Sequence, residues 1–192
     1  MAQNITRSGP DASHDPIVNS GTLDFVLVKD GASINAGADG AAIRNTTTGV
    51  VGNPFSFPIP TPPQKVGGVT VDGSTINGAI VNQGSIDSYF GIGGLAITSG
   101  TITGGVSNSG TISGQGLVGA EAAVIITNSN LMGGITNTGA IEGSPVTFGA
   151  SGLTIHGGTI KGGITNAGSI VGTGFSLDVE ATSFSGGITN SG

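Results

Sequence analysis

One phrase recurs in this chain at a fixed register, and it restricts the fold more than any other feature. GGVSNSGTI begins at Gly104, GGITNTGAI at Gly133, GGITNAGSI at Gly162 and GGITNSG at Gly186. Ile76, Ile102, Leu131, Ile160 and Phe184 mark the origin of each copy. Four places later stand Ile80, Val106, Ile135, Ile164 and Ile188. Steps of two then reach Asn82, Asn108, Asn137, Asn166 and Asn190, followed by Gly84, Gly110, Gly139, Gly168 and Gly192. One more step gives Ile86, Ile112, Ile141 and Ile170. Backwards, the register holds Val71, Ile97, Ile126, Ile155 and Val179, and before them Val69, Leu95, Val124, Leu153 and Leu177. An internal period kept this strictly is the mark of stacked structural repeats.

Length varies at one place only. The segments joining successive copies are 87–94, 113–123, 142–152 and 171–176. Stacked coils behave this way, because core strands must align while a corner can bulge. Each copy holds three short apolar runs, of the kinds L-T-I, I-x-G-G-I and G-x-I, in which apolar residues alternate. That alternation predicts strands with the aliphatic set inward and Thr, Ser and Asn outward. Gly-Gly and Asn-x-Gly mark the corners, where positive φ is cheap for Gly and tolerable for Asn. The expected fold is all-β: a right-handed parallel β-helix with three short strands per coil and roughly six to seven coils.

Composition agrees. Glycine fills 38 of 192 positions, and charged residues are 8% of the chain. Glycine and β-branched residues both disfavour long helices. Hydrophobic residues still make up 36%, so apolar area is available to bury. The net charge of −6 leaves no basic patch to neutralise phosphates, which argues against a nucleic-acid partner. Without cysteine there is no disulfide, catalytic thiolate or Cys-based zinc site. No calcium-binding G-G-x-G-x-D nonapeptide occurs, and no cofactor or metal is expected.

The first third is less regular. Ile17-Val-Asn19-Ser-Gly21-Thr-Leu23 repeats the phrase, so residues 1–23 are expected to form a partial coil or cap. Residues 24–65 read as an irregular coil, with Val26 to Ile34 followed by Ile43-Arg-Asn45. Five of the eight prolines fall in 53–65, which is expected to be a surface loop at the variable corner. An interdomain linker is the alternative. Residues 66–192 carry the regular repeats of a single continuous solenoid.

The phrases GGVSNSGTISG, GGITNTGAIEG and GGITNAGSIVG resemble the passenger domains of bacterial autotransporters of the type V secretion pathway. The resemblance covers residues 66–192, with weaker copies from Ile17. It implies a β-helical passenger exported behind a signal and anchored in the outer membrane by a C-terminal translocator barrel. This chain carries neither, which implies an N-proximal portion of a longer passenger. Such passengers are often adhesins or promote aggregation and biofilm, so the implied partners are host-cell or bacterial surface receptors or glycans.

Sharper functional readings find little in the residues. The histidines are His14, in the irregular stretch, and His156, whose parity is opposite to that of Ile155. No G-x-S-x-G elbow supports nucleophilic catalysis. A polysaccharide-cleaving β-helix needs charged residues gathered on one face. Asp72, Asp87, Glu121, Glu142, Asp178 and Glu180 fall in different registers, although Asp178 and Glu180 form an acidic spot with Lys161 expected nearby.

The column Asn82, Asn108, Asn137, Asn166 and Asn190 would suit sugar hydroxyls. The structural account is preferred: stacked amides at a corner, bonded to one another and to backbone. The outward row Ser107, Thr136, Thr165 and Thr189 lacks the unbroken T-x-T array that an ice surface requires. The expected role is a non-enzymatic stalk, adhesin or self-associating surface. The alternatives are a carbohydrate-active or carbohydrate-binding β-helix and a filament subunit stacking end to end through unpaired strand edges.

Overall fold

Short runs rich in Ile, Val and Thr, separated by glycine, give strands too short to bury a face except by stacking. In the computed structural model the chain folds as a parallel β-helix. The structure describes residues 3–9, 13–29, 31–52, 68–88, 93–114, 122–146 and 148–192. One coil shows the plan: strands Ala122–Thr127, Asn130–Leu131, Ile135–Asn137 and Ala140–Glu142 follow one another. Each pairs in parallel with its counterparts in the neighbouring coils, so the coil contributes to four columns of strands. Two columns form sheets of seven strands each, and the other two share one sheet of twelve. The three apolar runs of a copy thus become four strands on three sheets, because the Gly-Gly pair divides I-x-G-G-I at a corner.

The two columns of the large sheet meet in the strand Thr22–Lys29. Its start pairs Leu23 with Val51, and its second half pairs Val26 with Val69. The strand therefore passes from the fourth column of one coil into the first column of the next with only residues 24 and 25 between. In later coils the variable segments are inserted at this place, for example between Ile86 and Leu95. The strand also runs unbroken through residues 23 and 24, where the sequence reading divides the chain. The proline-rich stretch 53–65 falls between Val51 and Val69, outside the described residues.

The core consists of aliphatic columns one residue wide. Val28, Val71, Ile97, Ile126 and Ile155 form one, and Ile34, Ile76, Ile102, Leu131 and Ile160 another, all essentially without solvent exposure. Ile80, Val106, Ile135 and Ile164 form a third, and Ile86, Ile112 and Ile141 belong to a fourth. The last rungs are more open: Ile170 is partly buried and Ile188 is exposed. Burying one such side chain contributes about 1.5–3 kcal/mol. The columns add because each side chain touches its equivalents above and below.

Glycine serves two separate purposes. Positive φ belongs to the Gly-Gly corner, at Gly105, Gly134, Gly163 and Gly187. The glycines of Asn-x-Gly are a different case: Gly84, Gly110, Gly139 and Gly168 do not have positive φ, contrary to the sequence expectation. A Cβ there would instead strike the carbonyl oxygen of the equivalent glycine one coil earlier, in the order Gly49, Gly84, Gly110, Gly139, Gly168 and Gly192. The backbones approach so closely at this corner that any side chain separates them. Gly139→Ala is accordingly expected to destabilise the protein by about 3 kcal/mol, as overpacked sites do. Gly21→Ala, where a Cβ meets nothing within 4 Å, should leave the chemical-denaturation midpoint almost unchanged.

Candidate functional site: the asparagine ladder and the polar surface

Alternation places Ile135 inward, Thr136 outward and Asn137 inward, and burial follows that order. The asparagines therefore point into the helix, a correction to the outward orientation expected with Ser and Thr. Asn82, Asn108 and Asn137 are at most 1% exposed. A buried primary amide is costly unless bonded, and here the neighbouring coils supply its partners. Asn82 Nδ2 donates to Asn108 Oδ1 at 2.7 Å, Asn108 to Asn137 at 2.8 Å and Asn137 to Asn166 at 2.7 Å. Asn166 continues the series to Asn190 at 2.7 Å.

Each amide also fixes its own corner. Asn108 Nδ2 lies 3.2 Å from Gly110 O in its own coil and 3.0 Å from Ala140 O in the next. Asn137 repeats this with Gly139 O and Ser169 O. One side chain thus bends the chain between the third and fourth strands and ties that bend to its neighbour. The ladder begins earlier than the regular repeats, for Asn19 donates to Asn45 and Asn45 to Asn82. The phrase at Ile17–Leu23 signals Asn19. Asn45 is harder to find, because Thr46, Thr47 and Thr48 separate it from Gly49 and hide the Asn-x-Gly spacing.

The acidic residues do not converge. Asp72 and Glu142 are the exposed last residues of otherwise buried or half-buried strands, and Glu121 lies outside the described residues. Asp87 accepts hydrogen bonds from Ser85 Oγ at 2.6 Å and from Ser113 Oγ. Asp178 and Glu180 face His156 of the preceding coil, at 3.3 and 3.9 Å, rather than the Lys161 expected from spacing. Strand register explains this: His156 pairs with Glu180 and Thr154 with Asp178, while Lys161 follows a strand of another sheet. These groups stand on an open face, where screening keeps such pairs weak. Among the described residues no group of three His, Cys, Asp or Glu side chains is disposed to hold a metal ion.

His14 is not on the surface of a loop. It pairs with Ile34, and its Nε2 is buried without a hydrogen-bond partner among the described residues. Near the other end a cleft of about 220 Å³ opens between the last coils, lined in part by Ile164, Asn166, Ile170, Leu177, Ile188 and Asn190. It lies between rungs of the core columns and of the ladder. The largest exposed apolar side chains gather elsewhere: Val146, Phe148 and Phe175 are at least 65% exposed. They sit in the variable segments 142–152 and 171–176 of successive coils.

Asp39 stands in the turn before the third-column strand Ala41–Asn45. The Ala41 N–H donates to its carboxylate at 3.0 Å, and the Arg44 guanidinium does so at 2.9 Å. The Ala41 bond first, and then the Arg44 charge, hold the Asp39 carboxyl below its ordinary value. No protein-family model, curated protein or solved structure matches the chain.

Replacing one rung tests the ladder. Asn137→Ala takes the Asn137 donor from Asn166 Oδ1 and Gly139 O and one acceptor from Asn108 Nδ2, which keeps Gly110 O and Ala140 O, and is expected to cost about 1–3 kcal/mol. Thr136→Ala, on the outward face, should stay within about 0.5 kcal/mol by urea denaturation. A lowered folded-state value means that Asp39 contributes stability above its unfolded value and loses it as pH falls through the folded value. The stability difference between wild type and Asp39→Ala should therefore be constant near neutrality and shrink only in the acid range.

Proposed function

We propose that this chain is a non-enzymatic, β-helical stem with an adhesive edge, part of a secreted passenger held at a bacterial surface by a translocator barrel. The carrying observation is the division of labour between corners. From Val69 onward three corners repeat coil after coil, set by Gly-Gly pairs, asparagine amides and buried serines such as Ser129, which bonds Thr127 O and Ile97 O. In those coils the fourth corner alone changes in length, and Phe148 and Phe175 are exposed there. A rod with constant cross-section and variable projections suits contact with another surface. Phenylalanine is among the aromatic residues enriched at interface cores relative to the rest of the surface. The passenger-like style of the repeats supports the cellular setting.

The experiment is retention of beads coated with the chain on cultured host cells and on bacterial lawns under flow. Phe148→Ser with Phe175→Ser should leave thermal stability unchanged and reduce retention at least several-fold. Retention that is absent on every surface, or that is indifferent to both substitutions, removes the adhesive reading.

A further inference from the structure

The insert of residues 142–152 is a projection with a fixed base. Ser144 and Ala150 are buried, and between them Pro145, Val146, Phe148 and Gly149 are exposed. The Ser144 hydroxyl accepts the Val146 N–H at 3.4 Å. Ala150 is tied to the insert of the next coil: its N–H donates to Thr173 Oγ1 at 3.1 Å, and its carbonyl accepts the Gly174 N–H at 2.9 Å. Gly149, at φ +86°, turns the chain back toward the base. Phe148 is therefore fully exposed on a loop pinned at both ends, and Val171 and Phe175 are more than half exposed on the insert of the next coil. Clustered exposed apolar groups of this kind mark a surface that meets something.

Size, polarity and charge define what it meets. A stable protein interface takes about 20–30 residues from each side, so Val146, Phe148, Val171 and Phe175 fall short of a folded partner or a second copy. Residues 143–155 and 170–177 contain no charged side chain, so the patch can enter a low-dielectric medium without desolvating an ion. The residues bounding these stretches include Glu142, His156 and Asp178, with no Lys or Arg, on a chain of net charge −6. Anionic headgroups attract basic segments and repel such a rim.

We infer, building on the adhesive reading of this edge, that Val146, Phe148, Val171 and Phe175 insert into the outer leaflet of a zwitterionic phospholipid bilayer, so that the ligand of the edge is lipid itself. The hydrophobic effect is non-directional, so no matching pocket is required. Inserts that differ in length and sequence keep this property as long as their tips stay apolar and uncharged. A few inserted side chains hold a membrane reversibly, as a single acyl chain does. Many copies on one surface hold it firmly, because each further contact is made at high effective concentration.

The chain has no tryptophan, so Phe148→Trp places a single fluorescent reporter at the tip. With vesicles of phosphatidylcholine its emission should shift to the blue and be quenched by bromine on the acyl chains. Mixing in phosphatidylserine should weaken both changes, and Thr136→Trp, on the outward polar face, should show neither. Adding Val146→Ser and Phe175→Ser to the reporter chain should lower the bound fraction at least several-fold with thermal stability unchanged. Flotation of the wild-type chain with the same vesicles gives the answer independently of the reporter. The inference is overturned if the chain neither floats with vesicles nor changes its emission at any lipid concentration. Bead retention on cells that persists in that case leaves the edge adhesive toward a protein or glycan, whereas retention that is also absent removes the adhesive reading with it. A blue shift that appears without lipid and grows with protein concentration overturns the inference in favour of a second copy.

Discussion

The rest of the structure depends on the amide of one asparagine per coil. An aliphatic column binds its neighbours without direction and tolerates rotation, since dispersion contacts are numerous and individually weak. The Asn side chain removes that freedom. Its Nδ2 meets an acceptor in its own corner and two in the next coil, so bend, rise and register are set together. The glycine column beside it is the steric counterpart, because the coils can come close enough for these bonds only where no Cβ intervenes. Chain polarity becomes hydrogen-bond polarity in consequence, and this makes the two ends of the solenoid chemically distinct.

Much of this is legible in the residues. The five-fold register from Val69 to Ile188 defines the core columns and the parallel stacking, because a core one residue wide must repeat the same residue class in every coil. The side of the asparagines was not legible, since polarity argues outward and strict alternation argues inward. In Ile135-Thr-Asn137 alternation wins, because the neighbouring coils supply partners that a local reading does not include. The glycine of Asn-x-Gly is a similar case: a corner glycine suggests positive φ, whereas the cause is contact between coils far apart in sequence. Pairings such as His156 with Asp178 depend on strand register and escape any reading based on spacing along one copy.

The candidate site shows the same limit. Columns are periodic and can be seen in a sequence, but the variable corner is by nature aperiodic. Phe148 and Phe175 carry no repeat signature, and only the three-dimensional arrangement brings their segments to successive coils at one edge. His14 is visible as a residue, yet nothing in 3–23 announces that it joins an aliphatic column. That follows only from its pairing with Ile34.

The strand Thr22–Lys29 shows what the variable corner needs, which is almost nothing. It passes from one coil to the next with two residues where later coils insert whole segments. The junction is thus already closed in its shortest form, and each longer segment is an embellishment on a completed frame. Closure entropy grows only with the logarithm of loop length, so an insert can be traded, lengthened or rewritten at little thermodynamic cost. Selection can therefore revise the edge of this molecule quickly while its interior stays fixed, a separation of rates that suits a surface exposed to changing neighbours.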